Sequence, residues 1–459
     1  MASVLAVAGC AKPGPSAPPA SYLDATRLGA QAEVSAPIVS PTWWRDLDEP
    51  ALAALIDRAL AEAPSLRVAA ARLTRAQAIV DGARAASEPM AQLSLDASRQ
   101  RFTEHGLVPA ALAGTVRNLA TVQSGVTWEV DFFGRHEAGL QSALGQQRAL
   151  QAEAHAARNL LASQLARGYA QLARLIEQHD LARQVLEQRE RVLALQSQRR
   201  NAGLDDERPS QATRVAIAEQ RTRLAALDEA ITLARHALAA LSAQPPAALA
   251  QLAPRLTLAP RLPMPAEVPA DLIGRRADLV AARWRVESAV QDVALARTQF
   301  YPNVNLGALV GLSSIGLDRL IRAGSLQASA GPAIRLPLFD GGRLRANLQA
   351  RQAEVDLAIE TYNQTLVEAI REVADQLGSL RALARQQDEQ FRAEQAAQAA
   401  QTLAEQRLKA GIGDRLAVLT AQAGVLTQRQ QTLELTARRL DSQFALIRAL
   451  GGGYVAEGP

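Results

Sequence analysis

The chain has 459 residues, enough for several ordinary domains, of which 48% are hydrophobic and only 3% aromatic. A formal net charge of +4 is spread thinly, Arg and Lys alternating with Glu, Asp and Gln and no basic block interleaved with aromatics, so the nucleic-acid-binding pattern is missing. One cysteine, three methionines and five scattered histidines offer no zinc-type cluster and no soft-metal ligand set.

At the start, a short run of small apolar residues ends in Val7-Ala8-Gly9-Cys10, followed by a Pro/Ala/Ser tether. This resembles a bacterial lipobox, in which Cys10 becomes the lipidated first residue. The nine residues before it carry no Lys or Arg, so the positive region of a signal segment is missing. Ala11 after the cysteine, rather than Asp, points to the outer membrane. No apolar run approaches the ~18 residues of a spanning helix.

Six helices are expected, over 51–87, 135–200, 209–243, 272–299, 343–409 and 414–450. The second and fifth, at ~65 residues and 1.5 Å per residue, would span roughly 100 Å. A helix that long needs a partner along its length, and Leu181, Val185, Leu186, Val192, Leu193 and Leu195 supply a heptad-like seam. "NAGLDDERP" (201–209) and "KAGIGDR" (409–415) each join a long helix to a shorter one. There Gly203 and Gly411 suit a left-handed helix end, and Asp205, Asp206 and Asp414 suit the following cap. Between the halves, residues 243–269 carry seven prolines and read as a linker.

The halves repeat. A shift of 213 places residues 65–89 on 278–302, so that Leu66 meets Leu279, Ala76 meets Ala289, Arg84 meets Arg297 and Pro89 meets Pro302. "GVTWEVDFFGR" then matches "GPAIRLPLFDGGR" with two residues inserted, and "AGLDD" matches "AGIGD". The expected division is a signal remnant (1–9), a lipid-anchored tether (10–40), a first repeat (41–243), a Pro-rich linker (244–270), a second repeat (271–450) and a tail (451–459). Each repeat should run helix, strand, strand, long helix, tip turn, helix.

The strands are read from period-2 alternation. In "TVQSGVTWEVDFFGR" (121–135), Val122, Val126, Trp128, Val130 and Phe132 alternate with Thr121, Gln123, Thr127, Glu129 and Asp131. The same pattern runs through "MAQLSLDAS", "PNVNLGALVGL" and "SLQASAGPAIRLPLF". These segments, of about 9–14 residues, are long enough for a tilted membrane strand, which needs ~9–11. Phe102, Trp128, Phe132, Phe133, Phe300, Tyr301 and Phe339 fall at or beside strand ends, as at a membrane interface. Four strands cannot close a barrel, and lipid tolerates no open sheet edge, so such a sheet must oligomerise. Three copies would give a twelve-stranded barrel whose inner wall carries Asp96, Glu129, Asp131 and Arg335. An ordinary α+β protein, its sheet packed on helices, shows the same alternation.

With "AGC", "PTWWRDL", "TWEVDFFGR", "RRADLVAARWRVESAVQDVALARTQFYPNVNL", "IRLPLFDGGRLRANLQA" and "RLKAGIGDRLAVLTAQ" in order, the chain resembles the TolC-like outer membrane factor family, in its lipid-anchored multidrug efflux branch. The resemblance implies a mixed α/β membrane protein that forms a homotrimer. Long antiparallel coiled-coil helices would form a periplasmic α-barrel, and four transmembrane strands per protomer would complete the twelve-stranded barrel in outer-membrane lipid. It further implies a passive exit duct of a tripartite efflux pump, partnered by a periplasmic adaptor and an inner-membrane pump of the RND type, with no enzyme activity, cofactor, metal or nucleic acid. Adaptor docking would fall on Gly203, Leu204, Gly411, Ile412 and Gly413. The family often closes its tunnel with aspartate rings one to two turns after the tip glycine. Here those positions are Ala417 and Thr420, leaving Asp205, Asp206 and Asp414 as the acidic candidates near the gate. A type I secretion or metal-efflux duct of the same fold, and a periplasmic coiled-coil scaffold without a pore, are the alternatives.

Overall fold

The structure, a computed structural model, describes residues 20–32, 35–257, 265 and 267–455. The lipobox and Cys10 lie outside these residues. In chain order the elements are α1 (Pro50–Glu62), α2 (Pro64–Ala85), β1 (Met90–Arg101), β2 (Val116–Val130), α3 (Arg135–Asn201), α4 (Arg208–Leu241), α5 (Leu272–Arg275), α6 (Ala277–Thr298), β3 (Asn303–Ile315), β4 (Leu326–Arg335), α7 (Arg343–Lys409) and α8 (Arg415–Ala449). The long helices α3 and α7 are each 67 residues, without a proline in either. The order of elements is the same in the two halves.

Two expected helices are each broken once. The span 51–87 splits at Ala63, whose extended backbone (ψ 128°) is what a residue preceding proline adopts, and Pro64 opens α2. The span 272–299 splits at Arg276, between α5 and α6. Under the 213 shift Arg276 falls on Ala63, so the break recurs at the same place without its proline.

Contacts divide the chain into two compact units, one built on Arg72–Leu150 and Ala282–Tyr362, the other on Leu23–Ala71, Gln151–Ala281 and the chain from Asn363 onward. The second unit holds the main apolar core. Trp44, Leu52, Ile56, Leu165, Tyr169, Leu172, Leu238 and Phe444 are its fully buried large side chains. Trp43 lies against Phe444 at 5.9 Å between ring centroids, while the Trp44 indole N–H donates to Asp57 at 3.0 Å. Thus "PTWWRDL" is a core clamp. In the same unit the Arg276 guanidinium, 6% exposed, donates to Asp278 at 2.6 Å, to Glu372 at 2.9 Å and to the Ala449 carbonyl at 3.2 Å. Burial works against its charge, but the two carboxylates outweigh burial and raise its pKa.

The first unit carries one antiparallel sheet in the order β1-β2-β3-β4. β2 stops at Val130 and β4 at Arg335, earlier than the alternation of Phe132 and of Leu336 and Leu338 implied. Pro337 cannot donate to a ladder, and after Val130 the chain turns into α3.

Candidate functional site: the sheet, its base and the tip turns

Register fixes the two faces. Asp96 pairs with Thr121, Thr121 with Ser313, and Gln123 with Gly311, which pairs with Gln327. One face therefore carries Gln92, Ser94, Asp96, Ser98, Thr121, Gln123, Thr127, Glu129, Asn305, Ser313, Gln327, Ser329 and Arg335. Polar ladders run across it: Thr121 Oγ1 lies 3.2 Å from Ser313 Oγ, and the Gln327 amide donates to Gln123 Oε1 at 3.3 Å. Gly311 makes room for this, since a Cβ there would sit 2.6 Å from the Gln123 Cβ.

The opposite face is apolar, and its side chains stand in the open. Leu93 and Leu95 are 75% exposed, Leu326 64% and Ile334 68%, and Val126, Leu306 and Val310 are exposed beside them. None of the sheet belongs to the main apolar core. An ordinary α+β protein would bury this face. At the strand ends Trp128, Phe132, Phe133, Tyr301 and Phe339 are exposed as well. In water such a continuous apolar face is costly, whereas against hydrocarbon it is the favourable arrangement. β1 and β4 each leave one edge unpaired.

At the base of the sheet, Glu129, next to last in β2, pairs with Arg135 at 3.1 Å. Asp131, expected on the inner wall, lies beyond the strand. Its carboxylate accepts from the backbone N–H groups of Arg135 at 2.7 Å and His136 at 2.9 Å, so it caps α3. Asp340 does the same for α7 through Gly342 at 3.0 Å and Leu344 at 2.7 Å. Around Glu129, Asp131 and Arg135 lies a cavity of about 370 Å³ that also meets Phe133, Tyr301, Arg335 and Arg343. Glu129, Asp131 and Arg335 stand out in the sequence; the cavity they meet at does not. Its one signal was "FFGR" and "DGGR", a basic residue repeated at the same point of both halves.

The tips are built alike. Gly203 and Gly411 have φ of +74° and +73°. Gly203 N–H donates to the Arg200 carbonyl and Leu204 N–H to that of Arg199, both at 2.9 Å; Gly411 and Ile412 repeat this on Leu408 and Arg407 at 3.1 and 3.0 Å. This is the Schellman end of a helix. Leu204 and Ile412, which often fold back in that motif, instead stand 69% and 70% exposed. Gly413 has a different reason for being glycine: a Cβ there would lie 3.1 Å from the backbone of Arg407 and Leu408.

The acidic tip residues are already engaged. Asp414 caps α8, accepting from Ala417 N–H at 2.6 Å. Asp206 accepts from Arg208 N–H at 3.0 Å and Nε at 2.8 Å. Asp205 pairs with Arg199 at 2.6 Å, and that hydrogen bond lowers its carboxyl pKa. Ala417 and Thr420 lie exposed on α8, with Leu419 buried between them and the Thr420 hydroxyl returned to the Leu416 carbonyl at 2.9 Å. Among the described residues no group of His, Cys, Asp and Glu could hold a metal ion.

A sheet with an apolar face bared to its surroundings, a polar face opposite and both edges open defines a membrane channel subunit, here joined to long helical hairpins. The chain belongs to the outer membrane efflux protein family, which matches residues 55–244 and 268–452. It is 31% identical over 422 residues to multidrug resistance outer membrane protein MdtP of Shigella flexneri, covering 90% of this chain and 86% of that protein. To MdtQ of Escherichia coli O157:H7 it is 32% identical over 428 residues, covering 90% and 88%. The crystal structure of the outer membrane protein VceC of Vibrio cholerae superposes with a TM-score of 0.81 at 33% identity, over 90% of this chain and 99% of that one. The protein is an outer-membrane exit duct of a tripartite efflux pump and not an enzyme. It acts as a trimer with an adaptor and an inner-membrane transporter.

Proposed function

We propose that three copies join β1 of one to β4 of the next, closing a twelve-stranded barrel that conducts small organic molecules driven by an inner-membrane pump of the RND type. The carrying observation is the four-stranded sheet with two open edges and an exposed apolar face, which lipid tolerates only when closed. The polar face, with Asp96, Glu129 and Arg335, lines the water-filled lumen. Leu204 and Ile412 are the side chains offered to the adaptor, with Gly203 and Gly411 shaping the turns beneath them and Gly413 keeping the second turn tight. Supporting this is their near-equal exposure at turns of the same geometry. The resting gate lies in the same tips. There Asp205, Asp206 and Asp414 are held in local pairs and caps, while Ala417 and Thr420 line the passage without charge. Cys10, when lipidated, adds a second hold on the outer membrane. Purified protein in planar bilayers should give discrete single-channel steps; membrane-inserted protein without conductance would leave the periplasmic scaffold as the reading.

A further inference from the structure

The cavity at the base of the sheet has a charge arrangement that the duplication of the two halves makes legible. Aligning Gly125 with Gly331 brings Glu129 onto Arg335, and the inserted pair brings Arg135 onto Arg343. In the first half this is an acid–base pair, closed at 3.1 Å. In the second half both members are arginines. No carboxylate among the described residues lies at ion-pair distance from either one. Nearby Asp131 is engaged by the first amides of α3, and Asp340, whose charge bears on Arg343, by those of α7. Two guanidinium groups therefore line one cavity of about 370 Å³ with their donors unspent.

Besides the Glu129–Arg135 pair and Asp131, the wall carries the neutral polar groups of Thr298, Gln299 and Asn303, and an apolar patch completes it. Phe133 and Tyr301 are stacked, their ring centroids 4.9 Å apart and planes 8° from parallel, and Pro302, Pro337 and Leu344 join them. Small-molecule pockets measure ~300–1,000 Å³ and combine such walls with a few fixed polar groups. Two guanidinium groups on one wall suit a carboxylate or sulfonate, to which arginine donates in a fork. Stacked rings suit a flat apolar body. We infer that this cavity is a transit subsite for amphiphilic organic anions, aromatic carboxylates and sulfonates, repeated three times around the base of the barrel. The inference rests on the reading that the polar face lines the lumen, because register places Arg335 on the face of Glu129 and Asp96.

The test is block of single-channel current by 1-naphthalenesulfonate, with neutral 2-naphthol as the uncharged control, in bilayers with and without phosphatidylglycerol. Arg335→Glu restores the acid–base pair of the first half. It should raise the half-blocking concentration of the sulfonate about tenfold, which corresponds to about 1.4 kcal/mol, and leave 2-naphthol unaffected. Arg335→Gln and Arg343→Gln, which add no charge, should each raise it less, and they decide the matter should the Glu variant fail to assemble. Unchanged sulfonate block at normal conductance in these variants overturns the subsite. A difference between wild type and variants confined to phosphatidylglycerol bilayers also overturns it, since the arginines would then be holding lipid headgroups. Wild-type protein that inserts yet never conducts overturns the duct reading itself, and does so before any probe is added.

Discussion

The two halves of this chain agree wherever backbone shape is required and part wherever charge is free to change. Their long helices are both 67 residues, their tip glycines differ by one degree in φ, and both long helices are capped at the base of the sheet by a carboxylate. The tip of the first half is bound by three ion pairs: Arg199–Asp205, Arg200–Glu207 and Arg208–Asp206. Among the described residues the second tip has only the Asp414 cap. The helix break is a proline device in one half and a buried arginine in the other. The lesson is that the two halves share one scaffold and differ in the side chains that hold it: ion pairs brace the tip of the first half, and a buried arginine braces the helix break of the second.

The largest effect should fall where the halves remain equivalent. Val126→Arg in the first half and Leu306→Arg in the second each place a charge on the lipid face, at about 2–4 kcal/mol at mid-depth and three times per trimer. Both should abolish membrane-inserted trimer, whereas Thr127→Arg, one residue along and on the polar face, should assemble. Equal loss from Val126→Arg and Thr127→Arg in membrane fractionation would break the assignment of faces.

Next comes the helix break. Arg276→Ala leaves Asp278 without its cation and Glu372 with Arg448 alone, at 2.7 Å, and should cost about 3 kcal/mol, the low end for a broken buried pair. Pro64→Ala, one residue past the corresponding break, should cost under about 1 kcal/mol. Thermal unfolding of the detergent-solubilised protein checks both, and similar losses would show that the two breaks are held by the same means.

Much of this was readable in advance, for stated reasons. Period-2 alternation identified both faces of the sheet, because most register pairs join residues already sorted by polarity, with exceptions such as Leu93 opposite Ser124 and Leu309 opposite Ser329. Gly203 and Gly411 marked the tips, because a left-handed helix end favours glycine. The break at Ala63 is hidden in the sequence because an apolar pattern continues across Pro64, and that at Arg276 because its nearby partner Asp278 does not by itself mark a break and the others, Glu372 and Ala449, lie far along the chain. Asp131 continued the alternation of β2 by polarity alone, while its carboxylate was already committed to α3. The charge reversal at Arg335 needed both the internal alignment and the cavity before it meant anything.

At the tips the expected effects are smaller. Gly411→Val forces a branched side chain into a left-handed conformation, at roughly 1–2 kcal/mol. It should lower efflux, read as drug susceptibility, and weaken adaptor capture while the trimer stays intact. Gly203→Val, in the tip braced by ion pairs, should do so less.

Smallest of all is the pH response of the first tip. The Asp205 carboxyl is held below its ordinary value of 3.8 by Arg199. A depressed carboxyl contributes its stabilisation at and above that ordinary value and loses it only as pH falls through the depressed one. Resting conductance should therefore be flat from neutral pH to about pH 5 as far as this pair is concerned, and Asp205→Asn should shift it equally across that range. A wild-type rise near pH 6 would show that a group other than the Arg199–Asp205 pair sets the pH response of the resting gate.

The central claim is that β1 and β4 are the two halves of a protomer–protomer seam. Cysteines placed pairwise along the outer edges of these strands, in a Cys10→Ser background, test it directly. Oxidation of the membrane-inserted protein should yield a covalent ladder that ends at the trimer, for pairs in one register and not for those displaced from it. Absence of β1–β4 cross-links at every register, in protein that is inserted and conducting, would contradict the account.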